Sequence, residues 1–124
     1  MNAIVLEGPG RAVLHQVAEP KPASGEILLD VRRVGLCGSD LNSYRGRNPL
    51  VTYPRIPGHE VSAVVATLNP AHPEWLPGTP VTLSPYSHCG ACAACLRNRP
   101  NACQHNQTLG VQRDGALAER IAVP

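Results

Sequence analysis

A small, mainly β domain, an antiparallel barrel or sandwich, is the fold this chain predicts, and three observations predict it. Thirteen prolines and eleven glycines punctuate 124 residues, so few uninterrupted stretches are long enough for a stable helix. Apolar residues alternate over short runs bounded by Gly, Pro and Asn, and no 3.6-residue period is sustained. With no Phe and a single Trp, the core must be aliphatic, built from Val, Leu, Ile and Ala. At this length the chain reads as one domain, residues 1–124.

The elements follow in order. Residues 3–6 and 12–17 read as a first hairpin turning at Gly8-Pro9-Gly10. Pro20-Lys21-Pro22 breaks the chain and Gly25 ends that linker. Residues 26–34 form the clearest strand, with Ile27, Leu29 and Val31 alternating against Leu28, Asp30 and Arg32. Residues 39–44 suit a short helical turn capped by Ser39 or Asp40. Three prolines make residues 48–57 an irregular loop, and the Val- and Ala-rich run 61–68 a strand. Residues 70–80 are loop and 81–83 a short strand. Beyond a cysteine-rich lobe, about residues 87–106, come a turn at Asp114-Gly115 and a last strand over 118–123.

Charge excludes some function classes. The formal net charge is +2 and the basic residues are scattered, with Arg97 and Arg99 a solvated loop edge, so neither nucleic acid nor a membrane surface is an expected partner. The start lacks a signal peptide's basic region and apolar core, and nothing approaches the ~20 apolar residues of a membrane span. Free thiols at metal spacings without an export signal predict a reducing, cytoplasmic setting.

The five cysteines fall into two groups. Cys89-x2-Cys92-x2-Cys95-x7-Cys103 brings three ligands into one compact loop and returns the chain to deliver a fourth. Small residues between them (Gly90, Ala91, Ala93, Ala94) suit crowded backbone around a tetrahedral zinc ion. Four thiolates fill every coordination position, so such a site is structural. Two disulfides would be strained in so tight a cluster. A [4Fe–4S] cluster, and with it electron transfer, is the stronger rival, but its motif continues Cys-Pro where this chain has Cys103-Gln104. A zinc ribbon binding nucleic acid lacks its basic face.

Cys37 stands apart, in Gly35-Leu36-Cys37-Gly38-Ser39-Asp40, well before Gly58-His59-Glu60. Singly these are weak signals, since a lone Cys is usually a small buried hydrophobe. Together, a Cys, a His and a carboxylate make a zinc site with one position open, suited to polarising an alcohol oxygen. Ser39 could then pass on the alcohol's proton and Asp40 could orient the histidine.

These motifs, in this order and closing with Gly115-Ala116-Leu117-Ala118-Glu119, resemble the zinc-dependent medium-chain alcohol dehydrogenases. The resemblance spans essentially the whole chain, and the Cys-Gly-Ser-Asp form with Tyr44-Arg45-Gly46-Arg47-Asn48-Pro49 is most similar to the polyol (sorbitol), sugar-acid and threonine dehydrogenase branch. It implies an N-terminal GroES-like β-barrel, a catalytic zinc on Cys37, His59 and Glu60, Ser39 as the relay hydroxyl, and a structural zinc on Cys89, Cys92, Cys95 and Cys103. It also implies a small alcohol or polyol substrate, a homo-oligomeric parent enzyme, and NAD or NADP bound by a following Rossmann domain. Two departures stand out. Asn42 holds the position where many members extend the relay with a His, so a water route is expected there. No Gly-x-Gly-x-x-Gly occurs in the 124 residues, so the chain is expected to be a fragment inactive by itself. A zinc-binding structural or interaction module without turnover is the alternative.

Overall fold

The computed structural model describes residues 1–70 and 72–124. The chain opens with an antiparallel hairpin, β1 (Asn2–Gly8) and β2 (Arg11–Gln16), turning through Gly10 at φ 73°. A positive φ is strained for any residue with a Cβ, which is why glycine stands there. β3 (Ile27–Gly35) leads into α1 (Gly38–Tyr44), and β4 (Glu60–Val65) returns beside β3. β5 (Pro80–Thr82) and β8 (Arg120–Val123) complete an antiparallel four-stranded sheet of order β5-β4-β3-β8. The hairpin joins this sheet through the lead-in to β8: Ile4 N donates to Leu117 O at 2.8 Å and Glu119 N to Asn2 O at 3.1 Å.

One sheet face carries the core. Ile27, Leu29, Val61, Ala63, Val65 and Ile121 are buried together with Leu109 and Ala116. The alternation in β3 does not run its full length. The register slips between Val31 and Arg33, so Val34 rather than Arg33 packs against the core. Such a bulge sets two residues of one strand against one of its partner.

Between β5 and β8 lies the cysteine lobe. Its base is a two-residue ribbon, β6 (Tyr86–Ser87) against β7 (Gln107–Thr108), and it contains α2 (Ala93–Leu96) and a 3₁₀ turn, Pro100–Ala102. The expected cap of α1 needs correction. The N-cap is Cys37, and Asp40 sits in the first turn, where its Oδ2 accepts from Cys37 N at 2.9 Å. The expected turn at Asp114-Gly115 falls instead at residues 110–112, while Gly115 N donates to Ile56 O at 2.7 Å. The strand expected to reach Leu68 stops at Val65, because Val65 N and O turn to Thr79 O and Gly78 N and Leu68 is exposed.

Among the described residues no helix is long and apolar enough to cross a membrane.

Two candidate metal centres

Antiparallel pairing builds the first centre. Gly35 at the end of β3 pairs with Glu60 at the start of β4, so Cys37, just past Gly35, lies beside His59, just before Glu60. Gly35 leaves room for the Glu60 side chain: a Cβ there would stand 2.3 Å from Glu60 Oε2, displacing the carboxylate, and 3.0 Å from Glu60 Cβ. A second glycine contact fixes the 58–59 turn. A Cβ on Gly115 would meet Gly58 O at 2.3 Å and Pro57 O at 2.6 Å, and one on Gly110 would meet Gly58 N at 2.8 Å. Backbone therefore packs directly on backbone behind His59. The sequence shows these glycines but not what they touch.

The ligand atoms of Cys37, His59 and Glu60 lie within 4.8 Å of one another. Ser39 Oγ is 3.4 Å from His59 Nε2. On the other side of the ring, His59 Nδ1 is buried and has Asp40 Oδ1 at 3.4 Å, longer than a well-formed hydrogen bond. That Oδ1 also accepts from Gly58 N at 3.2 Å. Asp40 is itself only 7% exposed. The Cys37 thiol is held below its ordinary value, chiefly by hydrogen bonds from Ser39 and then by His59. A depressed thiol, an imidazole whose far nitrogen faces a carboxylate, and a carboxylate of their own make a donor set that fits zinc. Sequence reasoning named every one of these residues.

The triad opens on a cleft of about 750 Å³. Its walls include Arg33, Ser62, Thr82 and Tyr86, which the sequence did not single out. The signal available was the break in alternation after Val31.

In the second centre Cys89, Cys92, Cys95 and Cys103 converge within 4.8 Å. The sulfur separations are 3.5 Å for Cys92–Cys95, 3.6 Å for Cys89–Cys103 and 3.9 Å for Cys92–Cys103. Disulfide sulfurs sit at about 2 Å, whereas a tetrahedral ion with bonds of about 2.3 Å spaces its sulfurs about 3.8 Å apart. The spacing fits a tetrahedron. Backbone N–H groups of Cys92 and His105 point at Cys89 and Cys103 sulfurs, each at 3.3 Å. The backbone N–H groups of Cys95 and Gln104 bring Cys92 down to about 6. Burial, and then the Cys92 thiol beside it, push Cys95 up to about 11. A cation at that point would favour the Cys95 thiolate against this push.

Known proteins share this sequence pattern and fold. The alcohol dehydrogenase GroES-like domain family matches residues 23–124. The chain belongs to that family. It is 39% identical over 125 residues to an uncharacterized zinc-type alcohol dehydrogenase-like protein of Haemophilus influenzae, covering 100% of this chain and 36% of the relative. It is 33% identical over 124 residues to L-galactonate-5-dehydrogenase of Escherichia coli K12, again over 100% of this chain and 36% of the relative. Among solved structures, an alcohol dehydrogenase of Escherichia coli CFT073 complexed with the cofactor NADH superposes with a TM-score of 0.90 at 35% identity, covering 100% of this chain and 36% of that one. This GroES-like domain thus spans about a third of the length of the relatives it matches.

Proposed function

We propose that residues 1–124 form the catalytic domain of a zinc-dependent oxidoreductase that moves a hydride between a secondary alcohol or polyol and NAD or NADP. The observation that carries this reading is the triad of Cys37, His59 and Glu60 on an open cleft, with the Ser39 hydroxyl against His59. Zinc on that triad would supply Lewis acidity, lowering the pKa of an alcohol oxygen. Ser39 takes up the alcohol's proton and passes it to water, since Asn42 in the same helix cannot titrate. Asp40 holds the His59 ring in place without touching substrate. Cys89, Cys92, Cys95 and Cys103 hold a second, structural zinc in the lobe of about residues 87–106. The nicotinamide reaches the cleft from a nucleotide-binding domain outside these 124 residues, because they contain no Gly-x-Gly-x-x-Gly. L-galactonate-5-dehydrogenase, among the relatives, supports a polyhydroxylated substrate.

Metal content tests the reading. The purified chain should take up two zinc equivalents, His59→Ala should lose one and Cys103→Ser the other. His59→Ala retaining both, together with an assembled enzyme indifferent to that change, would instead favour a non-catalytic zinc module.

A further inference from the structure

Next to the triad, the sheet carries a second feature that zinc chemistry does not use. Arg33 on β3 pairs with Ser62 on β4, and Ser62 pairs with Thr82 on β5. Residues directly opposite each other in an antiparallel sheet share a face. These three therefore form one polar row across three strands, and all three line the cleft that holds Cys37, His59 and Glu60. The neighbouring row is Gly35 against Glu60.

Arg33 reaches this face only because of the bulge. Ile27 and Leu29 are buried in the core with Val31 packed against them, so unbroken alternation would send residue 33 inward as well. The slip between Val31 and Arg33 turns Val34 to the core and Arg33 to the cleft. A bulge beside a functional site commonly re-aims one side chain. Arg33 has no hydrogen-bond or ion-pair partner among the described residues, whereas the arginines of the opposite end, Arg113 and Arg120, are paired with Glu26, Asp30 and Glu19. Among the described residues lining the cleft, the other acidic or basic side chain besides His59 is Glu60, which belongs to the metal triad.

We propose that Arg33 recognises an oxyanion at the far end of the substrate, with Ser62 and Thr82 meeting its hydroxyl groups. The substrate class is then an anionic polyol, a sugar acid or a sugar-alcohol phosphate, rather than a neutral one. A guanidinium matches carboxylate and phosphate bidentately, which a point charge does not. The inference rests on the triad being the reaction centre.

Binding to the zinc-loaded chain tests it, measured by calorimetry and by amide NMR shifts at Ser62 and Thr82. The probes are D-gluconate, D-glucitol 6-phosphate and neutral D-glucitol. At least one anion should bind tighter than glucitol, and whichever binds tighter identifies the oxyanion. Arg33→Gln should weaken that anion about ten- to a hundredfold and leave glucitol unchanged, and Arg33→Lys should recover part of the loss. Arg33 is exposed and has no partner among the described residues, so its replacement should leave the fold intact. Equal affinity for all three probes, no binding at all, or an Arg33→Gln chain that keeps its preference would overturn the proposal. Zinc content measured on the same samples separates the two failures: intact triad zinc without anion preference sinks only this inference, and missing triad zinc sinks the reading beneath it.

Discussion

Asp40 shows how one side chain can position two ligands at once. Its Oδ2 accepts from Cys37 N at 2.9 Å, and its Oδ1 accepts from Gly58 N at 3.2 Å while facing His59 Nδ1. The start of α1 and the 58–59 turn, with Asp40 and Gly58 18 positions apart in the chain, are thereby tied at a single carboxylate. Replacing it with Ala leaves two backbone donors without an acceptor, at a cost of about 1–3 kcal/mol each where they are buried. Removing such a partner from a metal-ligating histidine typically costs about 10–100-fold in metal affinity. Asp40→Ala should therefore weaken zinc at Cys37, His59 and Glu60 by about that factor and leave the four-cysteine site untouched. Chelator competition read separately for the two sites decides it; equal affinity in parent and variant would mean that Asp40 does not position His59.

Among the elements, those with periodicity were legible and those set by distant register were not. The β1–β2 hairpin, β3 and β4 could be read because alternating Val, Leu and Ile between Gly and Pro leave few other options. β6 and β7 are two residues each, too short to carry a period, and they pair only because the intervening lobe returns the chain to its start. Ser39 or Asp40 looked like the cap of α1 by residue type, yet Cys37 takes that place because Asp40 satisfies its N–H from within the first turn. The metal ligands stood out by residue type and spacing, whereas Arg33 did not, since its orientation depends on a bulge. The join between β1 and the lead-in to β8 could not be read either, and it has a pH signature. Glu119 accepts from Asn2 N at 2.8 Å and Asn2 Nδ2 at 3.1 Å, and these bonds hold its carboxyl below the ordinary value. A carboxyl depressed in the folded state stabilises above its unfolded pKa, and that contribution is lost as pH falls through the folded value. Glu119→Gln should thus lower Tm at neutral pH, with the gap to the parent closing on acidification below the carboxylate range. Thermal melts across pH check it, and a gap that is constant with pH would mean the charge plays no part.

At the scale of the whole molecule, the four-stranded sheet and the lobe are held together by different physics. The sheet has its aliphatic core, but the lobe has almost none: α2 contains no buried residue and Leu96 is 75% exposed. What remains to order residues 88–106 is the β6–β7 ribbon at the base and the four sulfurs at the centre. Structural zinc contributes about 10–16 kcal/mol in small zinc peptides, far more than the lobe's own packing could supply. Cys95→Ser removes one of the four sulfurs and should release the lobe while the sheet, which has an aliphatic core of its own, stays folded. Trypsin reports this directly, because Arg97 is exposed inside the lobe and precedes Asn98, whereas Arg99 is followed by Pro100 and is protected. Cleavage after Arg97 should be slow in the zinc-loaded parent and fast both in Cys95→Ser and in the parent stripped of metal, with far-UV circular dichroism showing that the strands persist. A Cys95→Ser chain that resists trypsin as the parent does would mean that the lobe is ordered without its metal, and that the four cysteines do not clamp it.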